Sequence, residues 1–353
     1  MLRDVDITGN TVLDEASIHG VIDPYLGKPV TTPDLEEIRR QFTLLYINRG
    51  YINSGVIIPD QNVVNGIVVF RFIEGRVTDI EVSGTDHFDP EYFRSRLERG
   101  IEPPFNIENL GNEQQILRQS PLLQRLNLEL LPGLEPGEAR LHADVLEGTH
   151  YSLNAQIADD QSPTVGPVRG QLQGSIGNLL GFNDFLTAQY GRSQGLNDGY
   201  VAYSVPIASD DTRLSLRYDK NGVVVITPEI SPLHTTSSFS SVAVGLSRPI
   251  YRTPEAAFTL GLSLERREQQ TFLLGMPFPL IPGSDANGKA IVSPMRLYQD
   301  WLDRDAEHAF AARSTFSFGL QAFGATVTPL PPVGTPTANF FSWLGQAQYV
   351  RRV

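Results

Sequence analysis

The chain contains no cysteine among its 353 residues. That absence excludes disulfide scaffolds, thiolate metal sites and cysteine nucleophiles, and it is compatible with an oxidising compartment, where a free thiol is a liability. Long apolar runs are also missing, because proline and glycine interrupt the most apolar loop, residues 272–281. A transmembrane helix needs about 18 or more consecutive apolar residues, so the sequence predicts no helical membrane span.

Basic residues are scarce. The 28 Lys and Arg residues are outnumbered by 40 Asp and Glu residues, which gives a formal net charge of −12. A nucleic-acid surface requires clustered Lys and Arg side chains that neutralise phosphates. The composition therefore predicts that no nucleic acid is a partner.

Motifs of metal and nucleotide sites are missing as well. The six histidines form no i,i+4 pair and no His-Glu-x-x-His run, which are the spacings that place two ligands on one helix face. No Gly-x-x-x-x-Gly-Lys-Ser/Thr run is present to cradle a phosphate. We expect a non-enzymatic protein without metal or cofactor.

Residues 1–75 predict a β-α-α-β-β module, which we call the first module. A strand ends at Gly9-Asn10, Asp14 caps a short helix, and Thr31 caps a second helix that carries one apolar stripe. Gly50 ends this helix, as expected of a residue that enters the left-handed region. Two strands joined by a turn at 61–66 complete the module.

Residues 76–148 repeat this order and predict a second module of the same kind. The strand that opens them ends at Gly84, and helices begin at Asp89-Pro90 and Asn106. Two strands with alternating apolar residues follow. An internal repeat of about 70 residues is a stronger signal than either copy alone.

Residues 149–353 follow a period of two. Phe258, Leu260, Leu262 and Leu264, for example, alternate with small or polar residues. About ten such strands of roughly 8–12 residues are expected, a length typical of tilted membrane strands, and their connections alternate between short turns and long loops such as 322–338. A soluble β-sandwich has similar strands and stays an alternative.

With both parts in view, the chain resembles the two-partner secretion outer-membrane transporters, the ShlB/FhaC/HecB-like haemolysin secretion/activation proteins with POTRA domains. The motifs that carry the resemblance are Gly9-Asn10-Thr11, Gly50-Tyr51, Pro59-Asp60-Gln61, Gly66, Glu74-Gly75 and the turn Gly181-Phe182-Asn183-Asp184. The resemblance covers essentially the whole chain.

The resemblance implies two POTRA modules in the periplasm, followed by an antiparallel transmembrane β-barrel in the outer membrane. A protein of this family captures a large secreted exoprotein, a TpsA-like haemolysin or adhesin, through its POTRA modules. It exports that passenger through the barrel without ATP, and an extended passenger segment would add to a strand edge. Exoprotein and outer-membrane lipid are the expected partners of a monomer.

The resemblance and the strand pattern together give candidate residues. Contact with the passenger is expected at Tyr51, Ser54, Val56, Ile57 and Ile58. Arg213 and Arg217, on a polar strand face, are candidates for the barrel lumen. Structural roles in turns and strand ends are expected for Gly9, Asn10, Gly50, Pro59, Gln61, Gly66, Glu74, Gly75 and Gly84.

The chain departs from the family pattern in its later part. The family's barrel has about sixteen strands, so the ten expected here suggest a truncated barrel. The only Val-Arg-Gly run, Val168-Arg169-Gly170, precedes Gln171 and lies in the second strand of the barrel. The family's Val-Arg-Gly-Tyr/Phe motif lies on a late inward loop, so its role is not transferred.

Two other functions fit the same sequence. One is an assembly or insertase factor for outer-membrane proteins that also carries POTRA modules. The other is a soluble β-rich binding protein or surface enzyme, in which the apolar strand faces pack against each other in two layers.

Overall fold

Two small sheets and one large sheet carry the fold. The computed structural model describes residues 1–327 and 337–352. The two small sheets lie in one compact unit, Met1–Gly148, and the large sheet lies in a second unit, Thr149–Val353. In the described ranges, no helix is long and apolar enough to cross a membrane.

The first module has the predicted β-α-α-β-β order. Its elements are β1 (Asp4–Thr8), α1 (Glu15–Ile22), a 3₁₀ turn (Asp23–Tyr25), α2 (Thr32–Asn48), β2 (Gly55–Ile57) and β3 (Ile67–Ile73). The central strand is β3, with β1 parallel on one side and β2 antiparallel on the other. The sequence predicts a short helix from Asp14 through Ile18, and α1 extends about one turn further, to Ile22.

Side chains at the helix starts explain where α1 and α2 begin. Asp14 accepts a hydrogen bond from the Ser17 N–H at 3.0 Å. Thr31 and Asp34 form a reciprocal capping box, in which the Thr31 N–H donates to Asp34 Oδ2 at 2.7 Å. Hydrogen bonds from the Thr31 hydroxyl and N–H hold the pKa of the Asp34 carboxyl below its usual value. Both predicted caps are therefore present, and each satisfies backbone donors that the helix leaves open.

The turn after β1 is held by a small polar network. The Tyr46 hydroxyl lies 2.7 Å from Asn10 Oδ1 and 2.9 Å from Glu74 Oε1. Glu74 also accepts from the Thr11 hydroxyl at 2.6 Å. Burial and the neighbouring Glu74 carboxylate raise the pKa of Tyr46. The motif residues Asn10 and Glu74 therefore connect the end of β1 to the end of β3 through the buried Tyr46.

Aromatic rings form the core beside this network. Phe42 lies 5.7 Å from Phe70 and 5.2 Å from Phe72, centroid to centroid, and all three are buried. Gly9 has a φ of +81°, and a Cβ there would collide with the Phe72 carbonyl oxygen. Only glycine fits this turn, because it tolerates both the left-handed backbone and the close approach.

The second module repeats the first. Its elements are β4 (Arg76–Ser83), α3 (Pro90–Leu97), a 3₁₀ turn (Glu98–Gly100), α4 (Ile107–Leu117), β5 (Leu123–Pro132) and β6 (Glu138–Glu147). The central strand is β6, parallel to β4 and antiparallel to β5. Gly84 adopts a φ of +77° directly after β4, in the position that Gly9 holds after β1.

The large sheet is an antiparallel meander. Its strands are β7 (Tyr151–Asp159), β8 (Val168–Gly177), β9 (Phe185–Arg192), β10 (Leu196–Pro206), β11 (Arg213–Val224), β12 (Thr236–Arg252), β13 (Ala256–Leu273), β14 (Met276–Pro277), β15 (Lys289–Arg304), β16 (His308–Leu320) and β17 (Phe341–Arg351). Each long strand pairs with the next, and the two-residue β14 pairs only with β13. The predicted fold class, two β-α-α-β-β modules followed by a large antiparallel sheet, is confirmed.

The connections define two ends of this sheet. Residues 178–184, 207–212, 253–255 and 305–307 lie at what we call the short-turn end, which is also where β7 begins. The connections at the other end, the long-loop end, include 225–235 and 274–288. Residues 328–336 of the predicted long loop 322–338 lie outside the described residues.

Three strands are longer than the alternating apolar pattern indicates. β12, β13 and β15 have 17, 18 and 16 residues, whereas a tilted membrane strand needs about 9–11. In β13 the extra residues, 267–273, lie at the long-loop end and begin with the polar residues 267–271. A run of polar residues shows no alternation with apolar ones, so the sequence pattern predicted a loop from residue 267.

Removing the Tyr46 hydroxyl tests the network in the first module. We expect Tyr46→Phe to lower the free energy of opening of this module by about 1–3 kcal/mol, because it removes the hydroxyl donor that Asn10 and Glu74 share. Hydrogen exchange of β1 and β3 peptides in the full chain measures this effect. Tyr25→Phe is the control, since the Tyr25 side chain packs half-buried against the same core. Equal protection in the two variants would contradict the assigned role.

Candidate functional site

The five predicted passenger residues do not share one exposed surface. Val56 is only 2% exposed and belongs to the core of the first module. Ser54 is buried, and its hydroxyl oxygen accepts the Gly75 N–H at 2.8 Å. These two side chains are therefore unavailable to a passenger. Whether a side chain near a strand edge points inward depends on strand register, which the sequence left open.

The other three candidates lie nearer the surface. Tyr51 is half-buried, with its ring 5.9 Å from the Tyr46 ring. Ile58 packs half-buried against the core. Ile57 is exposed on β2. Of the five, Ile57 is the apolar side chain that a second chain could cover.

Side chains of α2 already bond to the outer edge of β2. The Val56 N–H donates to Thr43 Oγ1 at 3.2 Å, and Arg39 Nη1 approaches the Val56 carbonyl oxygen at 3.4 Å. Edge strands expose such groups to pairing with other chains. The three-residue β2 is thus a short edge whose middle residue is partly satisfied.

The corresponding edge of the second module is longer. β5 has ten residues and pairs with β6 on one side only. Gln114 of α4 donates from Nε2 to the Leu126 carbonyl oxygen at 2.9 Å, so this carbonyl points away from β6. The alternation of a strand then directs the backbone groups of Leu128 and Leu130 to the same open edge. This edge was not identified from the sequence.

Gln61 has a role that resembles that of a strand residue. Its side-chain amide donates to the Val69 carbonyl oxygen at 2.9 Å and accepts the Val69 N–H at 2.7 Å. The amide thereby pairs with β3 beyond the end of the short β2. Pro59 precedes it and Gly66, with a φ of +77°, ends the turn. The motif residues 59–66 therefore complete the sheet of the first module.

Gly50 and Gly75 lie where the two modules meet. The Ile107 N–H donates to the Gly50 carbonyl oxygen at 3.0 Å, and the Phe105 N–H donates to the Gly75 carbonyl oxygen at 2.8 Å. Asn106, the N-cap of α4, also donates from Nδ2 to the Arg49 carbonyl oxygen at 2.9 Å. The C-terminal end of α2 is thus bonded directly to the N-terminal end of α4.

A second contact strengthens this junction. Asn53 Nδ2 donates to the Gly137 carbonyl oxygen at 3.0 Å, and Gly137 in turn accepts the Arg76 N–H at 2.9 Å. A side chain at Gly75 would collide with the Asn53 amide. Gly75 therefore leaves room for the Asn53 side chain, which bonds to Gly137 of the second module.

The large sheet has one apolar face. Cross-strand neighbours on it are apolar from strand to strand: Leu216 lies opposite Tyr203 and Val244, and Leu262 lies opposite Leu246 and Leu297. Many of these side chains are exposed, and no other sheet covers them in residues 149–327 and 337–352. Sandwich strands would pack such rows against each other, so the two-layer alternative is wrong.

The opposite face is polar and carries paired charges. Arg217 lies 3.9 Å above the Tyr200 ring and donates to Asp219 at 2.6 Å. Further bonded sets on this face are Arg169 with Asp198, Glu265 with Ser241, Arg267 and Arg296, and Arg313 with Asp300. Each acidic group has a basic neighbour, so the face is strongly polar with little local excess of either sign.

The two lumen candidates lie in different surroundings on this face. Arg217 is on the polar face at the middle of β11. Arg213, by contrast, lies at the short-turn end, where Nη2 donates to the Asn183 carbonyl oxygen at 3.3 Å. That turn, 178–184, is organised by the buried Asp184, which accepts from the Leu180 N–H at 3.0 Å and the Tyr203 hydroxyl at 2.9 Å. Arg213 thus bonds to a turn of the sheet.

Two short motifs in the sheet have structural environments. Arg169 of Val168-Arg169-Gly170 donates from Nε to Asp198 at 3.1 Å within the polar face. Gly191–Gly195 fits the Gly-x-Ser-x-Gly pattern, but it forms the tight turn between β9 and β10, and Ser193 donates to the Val165 carbonyl oxygen at 2.6 Å. A nucleophile elbow joins a strand to a helix, so this serine is not arranged as a nucleophile.

Comparison with known proteins gives two matching families. A family described as "POTRA domain, ShlB-type" matches residues 1–75, and "Haemolysin secretion/activation protein ShlB/FhaC/HecB" matches residues 137–353. The outer membrane transporter CdiB of Dickeya dadantii (strain 3937) is 22% identical over 357 residues, which cover 99% of this chain and 61% of CdiB. The heme/hemopexin transporter protein HuxB of Haemophilus influenzae (strain 86-028NP) is 21% identical over 74% of this chain and 47% of HuxB.

Solved structures show the same fold. CdiB from Escherichia coli superposes with a TM-score of 0.74 at 19% identity, over 100% of this chain and 65% of that one. CdiB from Acinetobacter baumannii gives a TM-score of 0.58 at 15% identity, over 90% of this chain and 61% of that one. The chain therefore spans less than two thirds of the length of these relatives.

The two tryptophans test which face meets lipid. Trp301 and Trp343 are the only tryptophans of the chain, and both lie among the exposed side chains of the apolar face. In lipid bilayers we expect acyl chains brominated along their length to quench the tryptophan emission strongly, because bromine quenches at contact distance. Aqueous iodide is the control quencher and should have little effect. Quenching by iodide alone would contradict a lipid-facing apolar surface.

Asn106 tests the junction between the modules. Asn106→Ala removes the cap of α4 and the bond to Arg49, a loss of about 1 kcal/mol for a typical cap. We expect a broader distribution of distances between spin labels at Ala16→Cys and Glu129→Cys, measured by pulsed electron paramagnetic resonance in the cysteine-free background. Asn109→Ala, at an exposed position of the same helix, should leave the distribution unchanged. Equal widths in all three proteins would contradict a junction held by Asn106.

Proposed function

The chain belongs to the haemolysin secretion/activation family ShlB/FhaC/HecB, a family of two-partner secretion outer-membrane transporters, and we propose that it captures a secreted exoprotein and passes it across the outer membrane. The family and the modules place the protein in the outer membrane, with the POTRA modules in the periplasm. A TpsA-like exoprotein is the proposed passenger. The protein acts in this proposal as a translocator and not as an enzyme.

The observation that carries the proposal is the division of the large sheet into two chemically different faces. An apolar face made of Leu, Val, Phe and Trp rows suits contact with acyl chains. The polar face, with paired charges such as Arg217 with Asp219 and Arg313 with Asp300, suits contact with water and an extended polypeptide. Charges that are already paired offer few strong binding points, so a passing chain is not retained.

Capture of the passenger is proposed at the strand edges of the modules. An extended segment that adds to β5 gains backbone hydrogen bonds along the open edge near Leu128 and Leu130. β2 offers a shorter second edge, where Ile57 is exposed. The bonded junction at Gly50 and Asn106 keeps both edges in a fixed relation, which supports binding of one continuous segment by both modules.

Export without ATP is part of the proposal. The sequence holds no phosphate-binding loop of the usual kind, and the driving force is assigned to folding of the passenger on the outer side. A passenger that is unfolded in transit and folded outside cannot easily return, because refolding releases free energy that a return would require.

Disulfide cross-linking tests the capture site. The chain has no cysteine, so single cysteines at Glu129 in β5 or Ile57 in β2 report contact without background. The probe is a TpsA-like exoprotein, with single cysteines placed along its N-terminal segment. We expect Glu129→Cys to cross-link at every second probe position, because strand pairing has a period of two, and to exceed Ile57→Cys.

Arg94→Cys on the exposed surface of α3 is the matched control. Cross-linking from α3 as strong as from β5, or the same yield at all probe positions, would refute strand addition at β5.

The alternative of an assembly or insertase factor predicts a different phenotype. Deletion of the gene would then lower the amount of folded barrel proteins in the outer membrane. For a transporter, deletion lowers the amount of one exoprotein at the cell surface and leaves the other barrel proteins unchanged. Measuring both in one strain separates the two functions.

A further inference from the structure

The apolar face of the large sheet contains a concavity with a floor of glycines. Its volume is 690 Å³, and its lining includes Gly174, Gly199 and Gly222 from three strands. The walls are the side chains of Leu172, Tyr190, Val201 and Tyr218. Cβ atoms at Gly174 and Gly222 would meet no atom closer than 3.8 Å, so the groove exists because these side chains are missing.

Two cations flank the groove toward the long-loop end. Lys220 lines the groove and lies opposite Gly199. Arg192 lies opposite Asn197, which in turn lies opposite Gly222, so both cations are on the apolar face. Two strand spacings and a two-residue offset place their Cα atoms about 12 Å apart. Asn197 lies between them and accepts a hydrogen bond from the Tyr190 hydroxyl at 3.2 Å.

Both cations are exposed and lack a carboxylate partner among residues 1–327 and 337–352. The nearest acidic residues in sequence, Asp198 and Asp219, are engaged by Arg169 and Arg217 on the polar face. The chain has only three lysines; Lys28 donates to the Pro24 carbonyl oxygen and Lys289 pairs with Glu268. Two unpaired cations on one face stand out in a chain with a net charge of −12.

The position of the cations matches a membrane boundary. Arg192 and Lys220 are each the eighth residue of their strand, counted from the short-turn end. A tilted membrane strand crosses the apolar layer in about 9–11 residues, so these cations lie near the boundary at the long-loop end of the sheet. Long basic side chains reach the headgroup layer from such positions, and a charge near the boundary costs little.

We propose that this surface binds one phosphate-bearing lipid of the outer leaflet, with an acyl chain in the glycine-floored groove and phosphate between Arg192 and Lys220. This inference rests on the proposed outer-membrane orientation. Asn197 offers its amide to a polar headgroup, and Tyr190 and Tyr218 give the amphipathic ring surface found at membrane interfaces. The positive rim favours an anionic lipid over a second copy of this acidic chain.

Binding of lipid A, the phosphorylated glycolipid of the outer leaflet, tests the proposal. The full chain in detergent is titrated with lipid A, and complexes are counted by native mass spectrometry. We expect the double variant Arg192→Gln with Lys220→Gln to bind about 30-fold more weakly, from about fivefold per cation near a membrane surface. Arg248→Gln, on the same face at the short-turn end and paired with Asp210, is the control and should change binding less than twofold.

A second variant tests the groove itself. Gly174→Leu adds a side chain where a Cβ meets only ordinary contacts at 3.8 Å and 3.9 Å, so folding is retained while the acyl chain is displaced. We expect at least tenfold weaker binding of lipid A with both cations present. Unchanged binding in Gly174→Leu, or in the double cation variant, would overturn the proposal, as would a dimer of the chain that Gly174→Leu abolishes.

A separate measurement distinguishes the absence of this lipid site from a wrong orientation of the sheet in the proposed function. Quenching of Trp301 and Trp343 by brominated acyl chains reports the orientation of the apolar face independently of this groove. Retained quenching together with absent lipid A binding would remove the lipid site alone.

Discussion

The structure depends on a constraint that acts on the large sheet: it has a single layer, and no second sheet covers its apolar face in residues 149–327 and 337–352. Leaving a Leu, Val or Phe side chain in water forfeits about 1.5–3 kcal/mol per residue. Exposed apolar side chains occur along the face from Leu153 of β7 to Trp343 of β17, so the total free energy lost in water is many times this value. Contact with acyl chains, as proposed above, would remove this loss, whereas the modules bury Phe42, Phe70 and Phe93 in cores of their own.

The same constraint explains what the sequence could predict. Apolar and polar residues alternate along a strand when the two faces of its sheet meet different environments. This alternation located all ten long strands. The ends of α2 were also predictable from the sequence. Thr31 and Asp34 form a capping box at its start, and Gly50 after its end has the expected left-handed backbone with a φ of +88°. These features depend on neighbours within a few residues, so a single sequence contains them.

Features that depend on contacts between residues distant in the chain could not be predicted from the sequence. Ser54 and Val56 were expected at a passenger surface, but both are buried in the first module. The open edge of β5 became visible only once the strand order β4-β6-β5 was known. Arg213 looked like Arg217 because the two share a strand face, and only the fold of the turn at Asn183 separates them. Motif residues such as Gly75 read as turn formers, yet they also allow contact between the modules.

The side-chain bonds at the strand edges have a consequence for how tightly the modules can hold a chain. Thr43 already occupies the Val56 N–H, and Gln114 already occupies the Leu126 carbonyl oxygen. A strand that arrives at either point exchanges one hydrogen bond for another, and the net gain is small because the free edge was not empty. Under the proposed capture of an exoprotein, an incoming strand would therefore be held weakly at these two points and released readily, which suits the transfer of a long polypeptide.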